Sequence, residues 1–160
     1  MSRSSLPYRE TTDCFLLYKN QIVSKDYGHY VAFPGGGLDK GEDAVKASKR
    51  EIMEEVGGVV KNLKVVGIVE WDWFPEWADT PKRKKRYKQF RGERVYLLVG
   101  EVTEFKKATS TEGDAWKGKK TMSLKKAIEI GDKVYKKEHP NAKNYKMMQN
   151  IIIKTIKQML

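Results

Sequence analysis

The chain has 160 residues, with 32 Lys or Arg against 21 Asp or Glu and a formal net charge of +11. That length fits one domain with a real core. The single cysteine, Cys14, excludes an intrachain disulfide, and no apolar run reaches the roughly 18–20 residues that span a bilayer. The opening stretch MSRSSLPYRE lacks the apolar centre of a signal peptide, so the expected setting is the cytoplasm, with no membrane partner. The positive surplus favours polyphosphates or nucleic acid, and it equally fits a lysine-rich solubilising surface.

In chain order, TTDCFLLYKN and QIVSKD predict two strands around a turn at Lys19-Asn20. Cys14 falls inside the first as a buried residue. HYVAFP predicts a third strand, closed by the glycines of PGGG. From Gly41 the period changes. Ala44, Val45, Ser48, Ile52 and Val56 recur at helical spacing until Gly57-Gly58 stops the run. Glu42 and Asp43 stand at its start, where the macrodipole favours negative charge. VVKNLKVVGIVEWDWF reads as strand with a bulge at Gly67, and residues 75–92 as a polar, basic loop or hairpin tip. ERVYLLVGEV is the clearest strand, TEFKKATSTEGDAWKGKK a loop, and SLKKAIEIGDKVYKK partly helical. A closing helix over about 142–159 carries Met147, Ile151, Ile152, Ile156 and Leu160 on its apolar side. Strands with interspersed helices give an α/β class.

The chemistry concentrates in FPGGGLDKGEDAVKASKREIMEEVGG. Residues three and four apart share a helix face, so Glu51, Glu54 and Glu55 form one acidic patch roughly opposite Val45, Ile52 and Val56. Such crowding lowers helix stability unless something offsets it. Oxygen-rich carboxylate clusters are what Mg²⁺ and Mn²⁺ take as ligands, with water and phosphate completing the shell. The glycines upstream let backbone approach a ligand closely. The bland alternative is a solvated, Glu-rich helix face.

The spacing Gly36, Glu42, Arg50, Glu51, Ile52, Glu54, Glu55, Gly57 resembles the Nudix hydrolase signature G-x5-E-x7-R-E-U-x-E-E-x-G-U, U being a bulky aliphatic residue. Eight of its nine specified positions fit, and the ninth falls on Gly58. The motif, residues 36–58, covers about a seventh of the chain. The resemblance implies one Nudix domain over 1–160, an α/β/α sandwich around a mixed β-sheet. It also implies hydrolysis of a nucleoside diphosphate linked to another group, with Mg²⁺ or alternatively Mn²⁺. Position by position, it makes Glu51, Glu54 and Glu55 metal ligands, Arg50 their orienting partner, and Gly36 the bend that brings backbone to the metal or a phosphate. Glu42 falls to the loop–helix junction. In mutator-type family members the base resembles a loop glutamate before a W-M-S-L-like stretch. Here TEGDAWKGKKTMSL offers Glu112 as base and further metal ligand, with Asp114 second.

For the substrate, Trp71 and Trp73 share a strand face and can stack on a base, or serve as packing. Residues 82–94 hold eight Lys or Arg and one Glu; Arg91 and Arg94 among them are candidate phosphate contacts, and interleaved Tyr87 and Phe90 would suit single-stranded RNA. His29 and His139 stand too far apart in sequence to suggest zinc. The first expectation is a Mg²⁺-dependent pyrophosphohydrolase cutting a phosphoanhydride in a nucleoside triphosphate or related nucleotide. The alternatives are an RNA 5′-end pyrophosphohydrolase or decapping enzyme, and a non-catalytic Nudix-fold module that binds RNA or a nucleotide. Many family members form homodimers, an expectation on which this sequence is silent.

Overall fold

The computed structural model describes residues 2–159; Leu160, expected on the apolar face of the last helix, lies outside them. Strands β1 (Tyr8–Tyr18), β2 (Gln21–Val23), β3 (Lys25–Asp26) and β4 (Val31–Ala32) precede helix α1 (Ala44–Val56). Then come β5 (Gly58–Asp72), α2 (Pro81–Gln89), β6 (Gly92–Phe105), β7 (Thr121–Met122), α3 (Leu124–Val134) and α4 (Ala142–Met159). Five strands form a mixed sheet in the order β5-β6-β1-β2-β7. β1 and β6 run parallel at its centre, from Tyr8 opposite Gly92 to Leu17 opposite Glu101, and the other pairs are antiparallel.

Strand alternation sorts the central side chains into two cores. Phe15 and Leu17 of β1 join Leu97 and Val99 of β6 beneath α4, with Ile152 and Ile156. Cys14 and Leu16 face the other way with Leu98, against Ile52 and Val56 of α1. That is an α/β/α sandwich, and it explains why DCFLLY and VYLLV read as unbroken apolar runs: both faces of the central strands are covered. Ile52, wholly buried, contributes about 2 kcal/mol from burial alone.

The first turn lies where expected, with Lys19 and Asn20 both at positive φ. Gly67 falls at a shift in the β5–β6 register. Two readings are corrected. HYVAFP supplies only the two residues of β4, paired with β3 in a separate ribbon. The basic stretch is helix α2 and not a hairpin tip. The Thr80 hydroxyl accepts from the Arg83 N–H, and Pro81 opens the first turn, where its missing N–H has no partner to lose. Arg3 anchors the far end, donating to the Phe90 carbonyl at 2.9 Å and lying 3.4 Å over the Tyr87 ring. Lys, Arg and Gln are good helix formers; crowding of like charge made the segment look like a loop.

Candidate active site

Helix α1 begins at Asp43, whose carboxylate accepts from the Lys46 N–H at 2.8 Å, and ends at Gly57 in the left-handed conformation, φ 69°. Its buried stripe, Ala44, Ala47, Ser48, Ile52 and Val56, fixes the helix rotation and so turns Glu51, Glu54 and Glu55 away from the core. Arg50 offsets their repulsion. Its Nη1 donates to Glu51 at 3.0 Å and to Glu54 at 3.3 Å. Nε and Nη2 reach Glu42 at 2.9 Å, and Nη2 also reaches the Gly37 carbonyl at 3.0 Å. Glu42 in turn accepts from the Asp39 N–H at 2.7 Å. Arg50 above all, then that N–H, hold Glu42 down to about 2. One guanidinium thus ties the helix to the glycine loop.

The loop docks on β1 in the gap that short β2 leaves. Thr12 and Cys14 donate to the carbonyls of Gly36 and Pro34, and Leu38 donates to Glu10. A Cβ at Gly36 would stand 2.5 Å from Glu51 Oε1, so only glycine lets backbone and carboxylate approach this closely. Glu55 accepts from the Gly35 N–H at 2.8 Å and from Trp116 Nε1 at 3.3 Å. Burial still pushes it up to about 7, assisted by the charges of Glu51 and Asp114. Burial likewise raises Glu51, against the pull of Arg50.

The segment between β6 and β7 is pinned to the other end of α1. The N–H groups of Thr109, Ser110 and Trp116 donate to the carbonyls of Met53, Glu54 and Glu55, and Lys120 Nζ to that of Val56. Carbonyls orphaned at the helix end are satisfied this way, and the loop is brought to Glu55. Asp114 lines a cavity with Glu55, Trp116, Tyr27 and Tyr30. Glu112 is exposed and is absent from that lining.

Trp71 and Trp73 line one cavity of about 200 Å³, along with Phe33, Asp13 and Tyr135. Trp73 stacks on Trp77 with centroids 3.7 Å apart. The carboxylate cavity shares Asp13, Val31 and Phe33 with this one, which makes a single groove from Glu55 to the indoles. Arg91 and Arg94 sit apart in ion pairs, Arg91 with Asp72 at 3.0 Å and Arg94 with Glu70 at 2.5 Å.

Sequence reasoning missed several residues. Asp13 lay inside an apolar run, and only strand parity could have set it apart. Burial, then the charges of Glu93 and Glu55, push it up to about 8. Arg9 lies against Gly37, 3.6 Å from Glu93, and burial together with Arg86 of α2 lowers its pKa. Tyr27 and Tyr30 stack at 4.9 Å at the rim and remain exposed.

Among the described residues no three carboxylate, histidine or cysteine side chains converge on one point. Arg50 lies between Glu51 and Glu54, and Glu55 is turned to the Gly35 N–H. The donor set nevertheless fits a hard divalent cation. It is carboxylate oxygen throughout, with backbone brought against it at Gly36, which is what Mg²⁺ and Mn²⁺ take.

The sequence model of the NUDIX domain matches residues 2–146. The chain belongs to the Nudix family. An RNA pyrophosphohydrolase from Caulobacter vibrioides (strain NA1000 / CB15N) is 34% identical over 93 residues, 53% of this chain and 52% of that one. Another, from Sulfurovum sp. (strain NBC37-1), is 32% identical over 127 residues, 69% of this chain and 73% of that one. This chain spans about half the length of the first curated relatives it matches, 52% of the Caulobacter protein. The fold is similar to that of a NUDIX hydrolase from Nitrosomonas europaea, with TM-score 0.55 and 14% identity over 89% of this chain and 88% of that one. No helix among the described residues is long and apolar enough to cross a membrane.

Proposed function

We propose that this chain is a divalent-metal-dependent pyrophosphohydrolase acting on the 5′-triphosphate end of RNA, in preference to the free nucleoside triphosphates that the motif first suggested. The observation that carries the choice is α2. It bears Lys82, Arg83, Lys84, Lys85, Arg86 and Lys88, no acid and no buried residue. A helix with no apolar face adds little to the core; held by caps and by Arg3, it displays charge. Arg86 is close enough to act on Arg9 beside the glycine loop, so positive potential leads from α2 toward the carboxylates. A polyanion longer than one nucleotide uses such a track. The exposed tyrosine pair at the rim and the two relatives named as RNA pyrophosphohydrolases support the same reading.

Glu51, Glu54 and Glu55, with backbone at Gly36, would hold Mg²⁺ or Mn²⁺. When bound, such a cation neutralises phosphate charge and lowers the pKa of water. Arg50 keeps the carboxylates in place and ties them to the glycine loop. Without a cation, burial holds the Glu55 carboxyl up at about 7; a cation held there would favour its ionised form. The loop pinned to α1 supplies the base that receives the proton of the attacking water; Asp114 lines the groove beside Glu55, and Glu112 stands outside it.

The test is pyrophosphate or phosphate release from 5′-triphosphate RNA and from nucleoside triphosphates, with Mg²⁺ or Mn²⁺. Glu55→Gln serves as control, and Asp114→Asn is compared with Glu112→Gln. The expected result is higher kcat/KM on RNA ends, falling steeply with salt, and a larger loss for Asp114→Asn. Higher kcat/KM on free nucleotides would overturn the RNA assignment, and silence on every substrate would leave a binding module.

A further inference from the structure

The segment between β6 and β7 enters the core through a single side chain, and that side chain reaches Glu55. We infer that Trp116 is a positioning residue for the reaction: it holds the Glu55 carboxylate in the orientation that receives a cation. This rests on the hydrolytic reading in taking Glu55 as a metal ligand.

The first observation is burial. Between Val102 and Met122 every residue is exposed or half-buried except Trp116. Its ring is 7% exposed and lies in one core cluster with Ile52, Val56 and Leu98. Glu112, Gly113, Asp114 and Lys117 around it are exposed. Gly113 and Gly118 take positive φ, 86° and 77°, with nothing near the place of a Cβ. Turns free of packing therefore stand on either side of Trp116. Ordering such a segment costs conformational entropy, and burial of one indole is the largest apolar contribution that offsets it. Where the ring sits decides where the segment sits.

The second observation is a double grip on one residue. The Trp116 backbone N–H donates to the Glu55 carbonyl at 2.8 Å, and its indole Nε1 donates to Glu55 Oε2 at 3.3 Å. The main-chain bond fixes the reach of the side-chain bond. The other oxygen, Oε1, accepts from the Gly35 N–H at 2.8 Å, on the glycine loop. One donor on each oxygen sets the plane of the carboxylate. An ionised carboxylate has about four acceptor sites, so lone pairs remain on both oxygens for a cation. Burial raises Glu55, and both donors act against that rise. A phenylalanine would fill the core as well and leave Oε2 without its donor. Donors that hold a ligating group in this way orient it, and losing one weakens metal binding or activity by about 10–100-fold.

Calorimetric titration of the full chain with Mn²⁺ alone tests this without requiring turnover. Trp116→Phe keeps an aromatic ring in the core and removes the N–H. Mn²⁺ should then bind about tenfold more weakly, the low end of the range because the bond is long. Replacing the Trp116 indole by benzothiophene puts sulfur in place of the N–H and keeps the shape. It should give the same loss, and it carries the test if Trp116→Phe does not fold. On 5′-triphosphate RNA both changes should act through kcat and leave KM where it was, because Trp116 touches Glu55 and not the substrate. Wild-type affinity for Mn²⁺ in the folded variants would overturn the inference and leave the proposed activity standing. A loss in Trp116→Phe that the benzothiophene replacement does not share would overturn it too, since only packing would then be at work. An unaltered chain that binds no Mn²⁺ would sink the proposed metal site itself, and the inference with it.

Discussion

Helices α1 and α2 carry the two charges that define this molecule, and they are built in opposite ways. α1 is acidic on one face and buried on the other, where Ala47, Ile52 and Val56 are wholly inside. Its carboxylates are braced by Arg50, by the Gly35 N–H and by Trp116. α2 is basic throughout, buries nothing, and is held by the Thr80 cap and by Arg3. In α1 charge has been brought into a partly desolvated place where it perturbs protonation; in α2, Arg86 beside Arg9 apart, charge remains in solvent, where it attracts. The contrast separates a site that needs fixed geometry from one that needs only potential.

The largest effect should follow from breaking the first kind of charge. Glu55→Gln is expected to lower metal-dependent turnover by about 10²-fold or more. It should not lower the melting temperature, because the carboxylate it removes is one that burial disfavours. Full activity in a folded Glu55→Gln protein would show that α1 displays charge as α2 does. Next is Arg50→Lys. A point charge on a flexible stem cannot reach Glu42, Glu51, Glu54 and the Gly37 carbonyl together. Turnover should fall by about tenfold, and thermal stability should drop by about 1–3 kcal/mol as the carboxylates repel unbraced. An unchanged melting curve would mean that the bracing seen here is not energetic.

Replacing Lys82, Lys84, Lys85 and Lys88 together by Ala sharpens the other half. Stability should move by about 0.5 kcal/mol or less per site, and kcat on free nucleotides should hold. Affinity for RNA ends should decline and its salt dependence become shallower by about one phosphate contact per lysine engaged. An equal loss on nucleotides and RNA would place α2 in the reaction site itself.

The smallest effect concerns protonation. Burial raises Glu55 to about 7 and Asp13 to about 8, above the roughly 4 of an unfolded carboxyl. Between those values the folded chain binds more protons than the unfolded one. The contribution to stability is therefore full below about pH 4 and is lost as pH rises through the folded values. With chelator present, the melting temperature should fall from about pH 5 to about pH 8, and Glu55→Gln or Asp13→Asn should each flatten that fall. The exposed charges of α2 predict no such dependence over this range, so a slope left intact when both substitutions are combined would mean that another buried carboxyl, Glu51 or Glu93, carries it.

What could be read in the sequence followed the range of each interaction. The α1 carboxylates, Arg50, Gly36 and Glu42 stand within two dozen residues of one another, and helix periodicity alone puts the acids on one face. α2 was misread although its cap and opening proline were in view, because six like charges outweighed them. Asp13 was invisible for another reason. Alternation along β1 could show that it points opposite to Cys14, but not that a cavity waits there.

By itself the sequence determined the α/β class, the helix that carries the acids, the glycine loop before it and the tryptophans that follow, since each depends on neighbours a few residues away. Tertiary structure decided what meets what. The parallel pairing of β1 with β6 leaves an edge on which the glycine loop docks. The β6–β7 segment closes the end of α1 and brings Asp114 to Glu55 while leaving Glu112 outside. The strand, ribbon and helix that bound the groove join Asp13 to the indoles. These contacts span tens of residues of chain and form only when both faces of the sheet are covered, so no local pattern records them.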